Sequence, residues 1–136
     1  MREEKHQEVL KEMLDEIESA SKDPEGLLRH QRRLAFSVSL GAATLIELYF
    51  HKLNIMKEGS RINHRWFKRK LSSIKEQLEN QITSPIDTVK NINKIIEIAR
   101  EIEVKRDDLA YGAPAGEDIL QEKINLFFKL KELTKC

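Results

Sequence analysis

Apolar and polar positions alternate with a helical period along almost the whole chain, and one stretch departs from that by being apolar nearly all round. That stretch is Leu34 to Leu53, reading LAFSVSLGAATLIELYFHKL. Wound at about 100° per residue, most of its circumference is Leu, Phe, Val, Ile and Ala. Such a helix is either buried at the centre of a protein or spans a membrane. A span needs about 20 apolar residues with few charges. Here Glu47 lies inside the run, His51 lies near its end, and the charged segment Arg29 to Arg33 precedes it. The expectation is a buried central helix and no membrane. The small residues Ser37, Ser39, Gly41, Ala42 and Ala43 fit that reading. They let neighbouring helices approach closely, whereas a glycine in mid-helix otherwise costs about 1 kcal/mol against alanine.

The run carries one polar stripe. Arg33, Ser37, Thr44, Glu47 and His51 share about a third of the circumference, with Gly41 among them. The stripe is either the solvated strip of a mostly buried helix or the lining of a cleft or dimer seam. In the second case Glu47 and His51, one turn apart, are placed to orient each other by a hydrogen bond.

The remaining pattern is helical too. Arg2 to Ala20 carries Val9, Leu10, Met13, Leu14 and Ile17 on one stripe. Asp23-Pro24-Glu25 is a break followed by a helix-start signal, and the second helix then runs to about Asn54. Ile55 to Asn63 is a loop turning at Gly59 and Ser60. A third helix is expected from about His64, on the spacing of Phe67, Leu71, Ile74, Leu78 and Ile82. Ser84-Pro85 signals the start of a fourth, with Ile92, Ile95, Ile96, Ala99, Ile102 and Leu109 on one face and an end at Gly112. A last helix, Glu117 to Lys135, directs Ile119, Leu120, Ile124, Phe127, Phe128 and Leu130 inward. No strand pattern, repeat or linker interrupts this. The expectation is an all-α chain, a four- to five-helix up-and-down bundle forming one domain over residues 1–136.

Composition narrows the function. Charged residues make up 35% of the chain and nearly cancel, to a net +1, so no global field draws nucleic acid and any such binding needs a local patch. Cys136 is the only cysteine, which leaves no disulfide framework and no cysteine metal site within one chain. The first residues, MREEKHQEVLKEM, are charged and periodic and lack the apolar core of a signal peptide, so a reducing, cytoplasmic setting is expected. The four histidines, 6, 30, 51 and 64, share no metal-binding spacing. Neither a phosphate-binding glycine loop, a zinc-protease helix nor a nucleophile elbow is present. No metal or cofactor is expected.

The local patch is Arg61 to Lys70, where Arg61, Arg65, Lys68, Arg69 and Lys70 surround His64 and Trp66. It reads either as a solvated face or as a binding surface for phosphate. Arg106 stands out for its place. It falls one turn after Ile102 and two after Ala99, and so continues the apolar face. A guanidinium there needs an acidic partner, an anionic ligand or an escape to solvent at the bundle's end.

Arg106 opens the words RDDLAYG, and here the chain resembles the HEPN family (higher eukaryotes and prokaryotes nucleotide-binding). Its members are small helical bundles, many with an Arg-x4-6-His motif late in the chain. The likeness rests on the helix order, the long apolar second helix, the basic loop before the third, and Arg106. Asp107, Asp108, Leu109 and Ala110 then intervene, and Tyr111 stands where the motif histidine belongs. The resemblance implies a homodimer with facing motifs. It also implies either a metal-independent endoribonuclease, often the toxin of a pair with a small nucleotidyltransferase antitoxin, or a non-catalytic partner that binds nucleotide or RNA. In the ribonucleases the arginine holds phosphate and the histidine moves protons. A free tyrosine titrates near pH 10 and is a poor base at neutral pH, although it can hydrogen-bond phosphate or stack on a base. If the chain cleaves RNA, His64 or His51 must accept the proton.

Overall fold

Helix α2 (Gln31–Lys52) is the axis of the molecule: α1 (Glu3–Lys22), α4 (Ile92–Glu103), α5 (Arg106–Tyr111) and α6 (Glu117–Leu133) all pack against it. The computed structural model describes residues 3–135. Helix α3 (Leu71–Glu79) and short 3-10 turns at Leu27–His30, His64–Lys68 and Ile86–Thr88 complete the all-helical bundle. Among the described residues there is no strand. An isolated antiparallel bridge, Met56 to Ile82, ties the loop after α2 to the chain after α3.

The apolar run behaves as its composition demands. Residues Gly41 to Phe50 are buried without a break, Ile46 and Phe50 completely. The stretch 27–52 is long and apolar enough to cross a membrane, yet 83% of its apolar window is buried inside the fold. Gly41 shows why a small residue is needed there. A Cβ on it would lie 2.6 Å from Cε2 of Phe127, a side chain of α6 that is itself fully buried. The Ile92, Ile95, Ile96, Ala99, Ile102 face of α4 is buried throughout. Each such isoleucine contributes about 1.5–3 kcal/mol. One apolar core runs from Ile17 in α1 to Leu130 in α6.

Several element boundaries differ from the sequence reading. The third helix does not start at His64. Asn63 caps a 3-10 turn by accepting a hydrogen bond from the Arg65 N–H, Arg69 is extended, and α3 begins only at Leu71. Ile82 lies in the bridge, beyond the helix. Pro85 starts only the turn Ile86–Thr88, and the next helix waits for Asn91, whose left-handed backbone (φ 64°) redirects the chain. The expected fourth helix is broken at Val104 and Lys105, again at a left-handed residue (Lys105, φ 61°), so α5 is a separate short helix. Phe128, expected inward, is 45% exposed and meets Phe127 edge-on.

Candidate functional site

The break between α4 and α5 opens a cleft of about 360 Å³ lined by Phe67, Lys68, Arg100, Glu103, Val104, and Lys105 to Asp108. Two features of local sequence make it. The left-handed Lys105 turns the chain, and Lys123 of α6 caps the exposed end of α4 by donating to the carbonyls of Glu101 and Val104 (2.6 Å for the latter). Burial pushes the Lys123 ammonium down from its ordinary value, against the pull of nearby glutamates. A cation suits a helix C-terminus.

Glu103 does not. It is the last residue of α4, where the helix dipole disfavours an anion, and it is 3% exposed. Its Oε1 accepts hydrogen bonds from Ser39 Oγ of α2 and from His64 Nδ1, the latter at 2.9 Å. A carboxylate only accepts, so Nδ1 of His64 carries a proton and Nε2 is the ring nitrogen left free of Glu103. The ring, about four-fifths buried, is thereby fixed in one tautomer and one orientation. Glu103 Oε2 is buried with no hydrogen-bond partner among the described residues.

Arg106, the first residue of α5, is half-buried. Its side chain is 12% exposed, its Nη1 donates to Asp107 Oδ1 at 3.0 Å, and its Nε is buried without a partner. The guanidinium lies over the Phe36 ring, 4.8 Å from the centroid. Asp107 bridges Arg106 and Lys68 (2.6 Å) at the mouth of the cleft. Lys68 first and then Arg106 hold its carboxyl below the ordinary carboxylate range. The cleft thus holds four cations, Lys68, Arg100, Lys105 and Arg106, against three carboxylates, Glu103, Asp107 and Asp108, and its Glu103 bonds His64, which is not itself a lining residue. Tyr111, at the other end of α5, is 71% exposed and meets Phe36 edge-on at 6.0 Å.

The structure thus brings together Arg106, Lys68 and, through Glu103, His64. Arg65 and Arg69 are exposed and lie outside the cleft lining. Arg61 belongs instead to a second cavity, beside Glu47 and His6. There Glu47, 7% exposed, pairs with His6 Nε2 of α1 at 3.0 Å and accepts the Ile62 N–H. Burial raises its carboxyl above the ordinary range, and the Ile62 hydrogen bond partly opposes that. The hydrogen bond expected between Glu47 and His51 is replaced: His6 takes the carboxylate, and the His51 ring lies 5.1 Å from that of His6. The polar stripe of α2 is therefore largely buried, with Ser37, Thr44 and Glu47 inside, and only Arg33 fully exposed at its start. No group of three metal-ligating side chains occurs among the described residues.

Sequence reasoning missed Glu103, Ser39 and Gln31. Glu103 left no signal, because the expected fourth helix runs past it to Gly112 and places it on the charged face. Gln31, at the start of α2, holds α5 in place: its amide donates to the carbonyls of Leu109 (3.0 Å) and Ala113 (3.1 Å) and its oxygen accepts the Ala115 N–H (2.8 Å). Comparison of the chain with protein-family models, with curated proteins and with solved structures finds no match.

Proposed function

We propose that this chain is a HEPN-like, up-and-down helical bundle whose Arg106 cleft binds the phosphate of RNA or of a nucleotide. One observation carries the reading. A guanidinium with a buried, unpartnered Nε stands in a cleft whose four cations, Lys68, Arg100, Lys105 and Arg106, outnumber its three carboxylates, Glu103, Asp107 and Asp108, and its remaining partner is an exposed aspartate that an anion can displace. A phosphate in the cleft takes the place of that aspartate, because the planar guanidinium donates two parallel N–H bonds to two oxygens of one anion. In this reading the chain works as a homodimer in the cytoplasm, alone or beside a nucleotidyltransferase. Tyr111 contributes as a stacking or hydrogen-bonding group.

The His64–Glu103 pair favours a second reading, a metal-independent endoribonuclease. His64 Nε2 takes the proton of a ribose 2′-hydroxyl while its O2′ attacks the adjacent phosphorus. The P–O5′ bond breaks, the leaving oxygen takes a proton from water, and a 2′,3′-cyclic phosphate and a 5′-hydroxyl result. Arg106 stabilises the charge on the phosphorane. Glu103 holds the imidazole and stabilises it once protonated.

The test is RNA cleavage in EDTA by wild type, Arg106→Ala and His64→Ala, with RNA binding measured on the same proteins. Cleavage by wild type, lost in both variants, supports the ribonuclease. Binding without cleavage, lost in Arg106→Ala alone, supports the binding module. Wild-type protein that is folded and binds neither RNA nor nucleotide refutes both.

A further inference from the structure

Helix α5 separates two grooves. The Arg106 cleft is lined by its first residues and by Lys105, and the groove on its other side by Leu109, Ala110 and Gly112. The second groove has a volume of about 460 Å³, and its far wall is the turn before α2, with Arg29, and the amino end of α2, with Arg32 and Arg33. These three arginines are not equivalent. Arg29 is bonded to Glu25 at 2.5 Å and lies 3.8 Å from Asp23. Among the described residues Arg33 has only Glu16, at 3.8 Å, and its side chain is 68% exposed. Arg32 has no carboxylate within ion-pairing distance among the described residues. Its Nε donates to the carbonyl of Ala110 at 3.0 Å, which fixes the side chain against α5 and leaves its two terminal nitrogens available. A cation held by a neutral carbonyl keeps its full charge for a ligand.

Two aromatic rings adjoin Arg106 and the end of α5. Phe36 is one turn beyond Arg32 on α2 and carries Arg106 on its face and Tyr111 at its edge. Arg106 and Ala110, the points where α5 meets the two guanidinium groups, are one turn apart, about 6 Å along the axis. Along α5, Arg106 with its neighbour Phe36 is thus followed by Arg32 at Ala110 and then by the exposed ring of Tyr111. That order suits an unpaired strand, whose charged backbone alternates with bases that stack on exposed rings. A duplex keeps its bases stacked on each other and has no use for Tyr111.

We infer that Arg32 and Arg33 form a second phosphate subsite, so that a single-stranded RNA crosses α5 with one phosphate at Arg106, a base on Tyr111 and a further phosphate in the arginine groove. This inference rests on the phosphate-binding reading of the Arg106 cleft and adds the ligand class: an oligonucleotide strand, in preference to a mononucleotide. Arg32 is a binding residue here, and its hydrogen bond to Ala110 gives it a fixed direction.

The experiment measures binding of a fluorescent single-stranded hexanucleotide, and its displacement by uridine monophosphate, as a function of salt. The proteins are wild type, Arg32→Gln, Arg33→Glu, Tyr111→Ala and Arg106→Ala. Arg33→Glu removes no internal hydrogen bond, so it reports on the subsite even where Arg32→Gln disturbs α5. Expected is a loss of about tenfold for the hexanucleotide in Arg32→Gln and in Arg33→Glu, with the salt slope reduced by about one in Arg32→Gln. The mononucleotide's affinity should not change in either, and Arg106→Ala should weaken both ligands. Hexanucleotide binding that depends on Arg106 but is indifferent to Arg32 and Arg33 overturns the subsite and leaves the cleft reading intact. Equal affinity for single strand and duplex overturns the stacking on Tyr111, and with it the strand's path. If wild type binds neither hexanucleotide nor mononucleotide, both readings fall, and the arginine groove is better sought as a dock for an acidic protein segment.

Discussion

Replacing Gln31 by alanine should loosen α5 and the connector to α6 more than any other single polar change outside the cleft. The side chain is 8% exposed and makes three hydrogen bonds to one stretch of backbone, at Leu109, Ala113 and Ala115. Each is worth about 0.5–1.5 kcal/mol net. Ala113 is exposed, so water replaces its bond at little cost. Leu109 is 6% exposed and Ala115 half-buried, so their groups are left short of partners. The sum is about 3 kcal/mol once the lost packing of the stem is included. A domain of this length has about 7–20 kcal/mol in total, so the variant should fold, with its Tm lowered by about 10 °C. Urea unfolding should show a lower midpoint at unchanged slope. Gln31→Met separates causes, since it keeps the stem and removes the polar atoms. It should lose nearly as much as alanine. A loss below about 1 kcal/mol in the alanine variant, or full recovery in the methionine one, would refute the assignment of α5's position to these bonds.

Further outcomes follow from other contacts. Gly41→Ala puts a methyl 2.6 Å from the Phe127 ring; overpacking of about 1–3 kcal/mol should outweigh the roughly 1 kcal/mol gained in helix propensity, and a raised urea midpoint would contradict this. Asp107→Asn frees Arg106 and Lys68 from their shared carboxylate and should strengthen binding of inorganic phosphate or RNA severalfold, read by titration; weaker binding would mean that Asp107 positions the cations and does not compete with the ligand. Burial raises the Glu47 carboxyl, so its protonated form favours the fold, a contribution present below about pH 4.5 and lost as pH rises through the raised value. Glu47→Gln lacks that dependence, and the gap between its urea midpoint and the wild type's should therefore drift across that window; a constant gap would remove the burial effect.

The legible part of this fold is the part decided by apolar area. The run from Leu34 to Leu53 and the Ile92–Ile102 face announce themselves because burial repeats at the helical period; the α4 face is buried as expected, and the run is buried from Gly41 to Phe50 but leaves Phe36, Leu40 and Leu53 exposed. The break at Val104 and Lys105 is silent in the sequence because Ile102, Arg106 and Leu109 keep that period across it. A left-handed lysine has no composition signal, and the Lys123 cap on the neighbouring carbonyls comes from a distant helix. Arg106 was visible as a cation out of place. Glu103 was hidden on what reads as the charged face, and its partners Ser39 and His64 lie on other elements. Contacts between side chains far apart in the chain leave no periodicity to read.

The arrangement around Glu47 bears on which parts of the molecule open together. Helix α1 packs chiefly on α2 and the turn at 27–30, and only His6, Ile17 and Ala20 of it are fully buried. It is thus the natural first unit to detach in a native-state opening. When it does, Glu47 loses His6 and faces water, and its grip on the Ile62 amide slackens. That amide begins the segment leading to His64. Hydrogen exchange should accordingly give Ile62 and the inner amides of α1 a common opening free energy, well below that of α2; separate values would uncouple them. Under such coupling, whatever seizes the amino-terminal helix also unfastens the loop that carries the histidine, without ever touching the cleft.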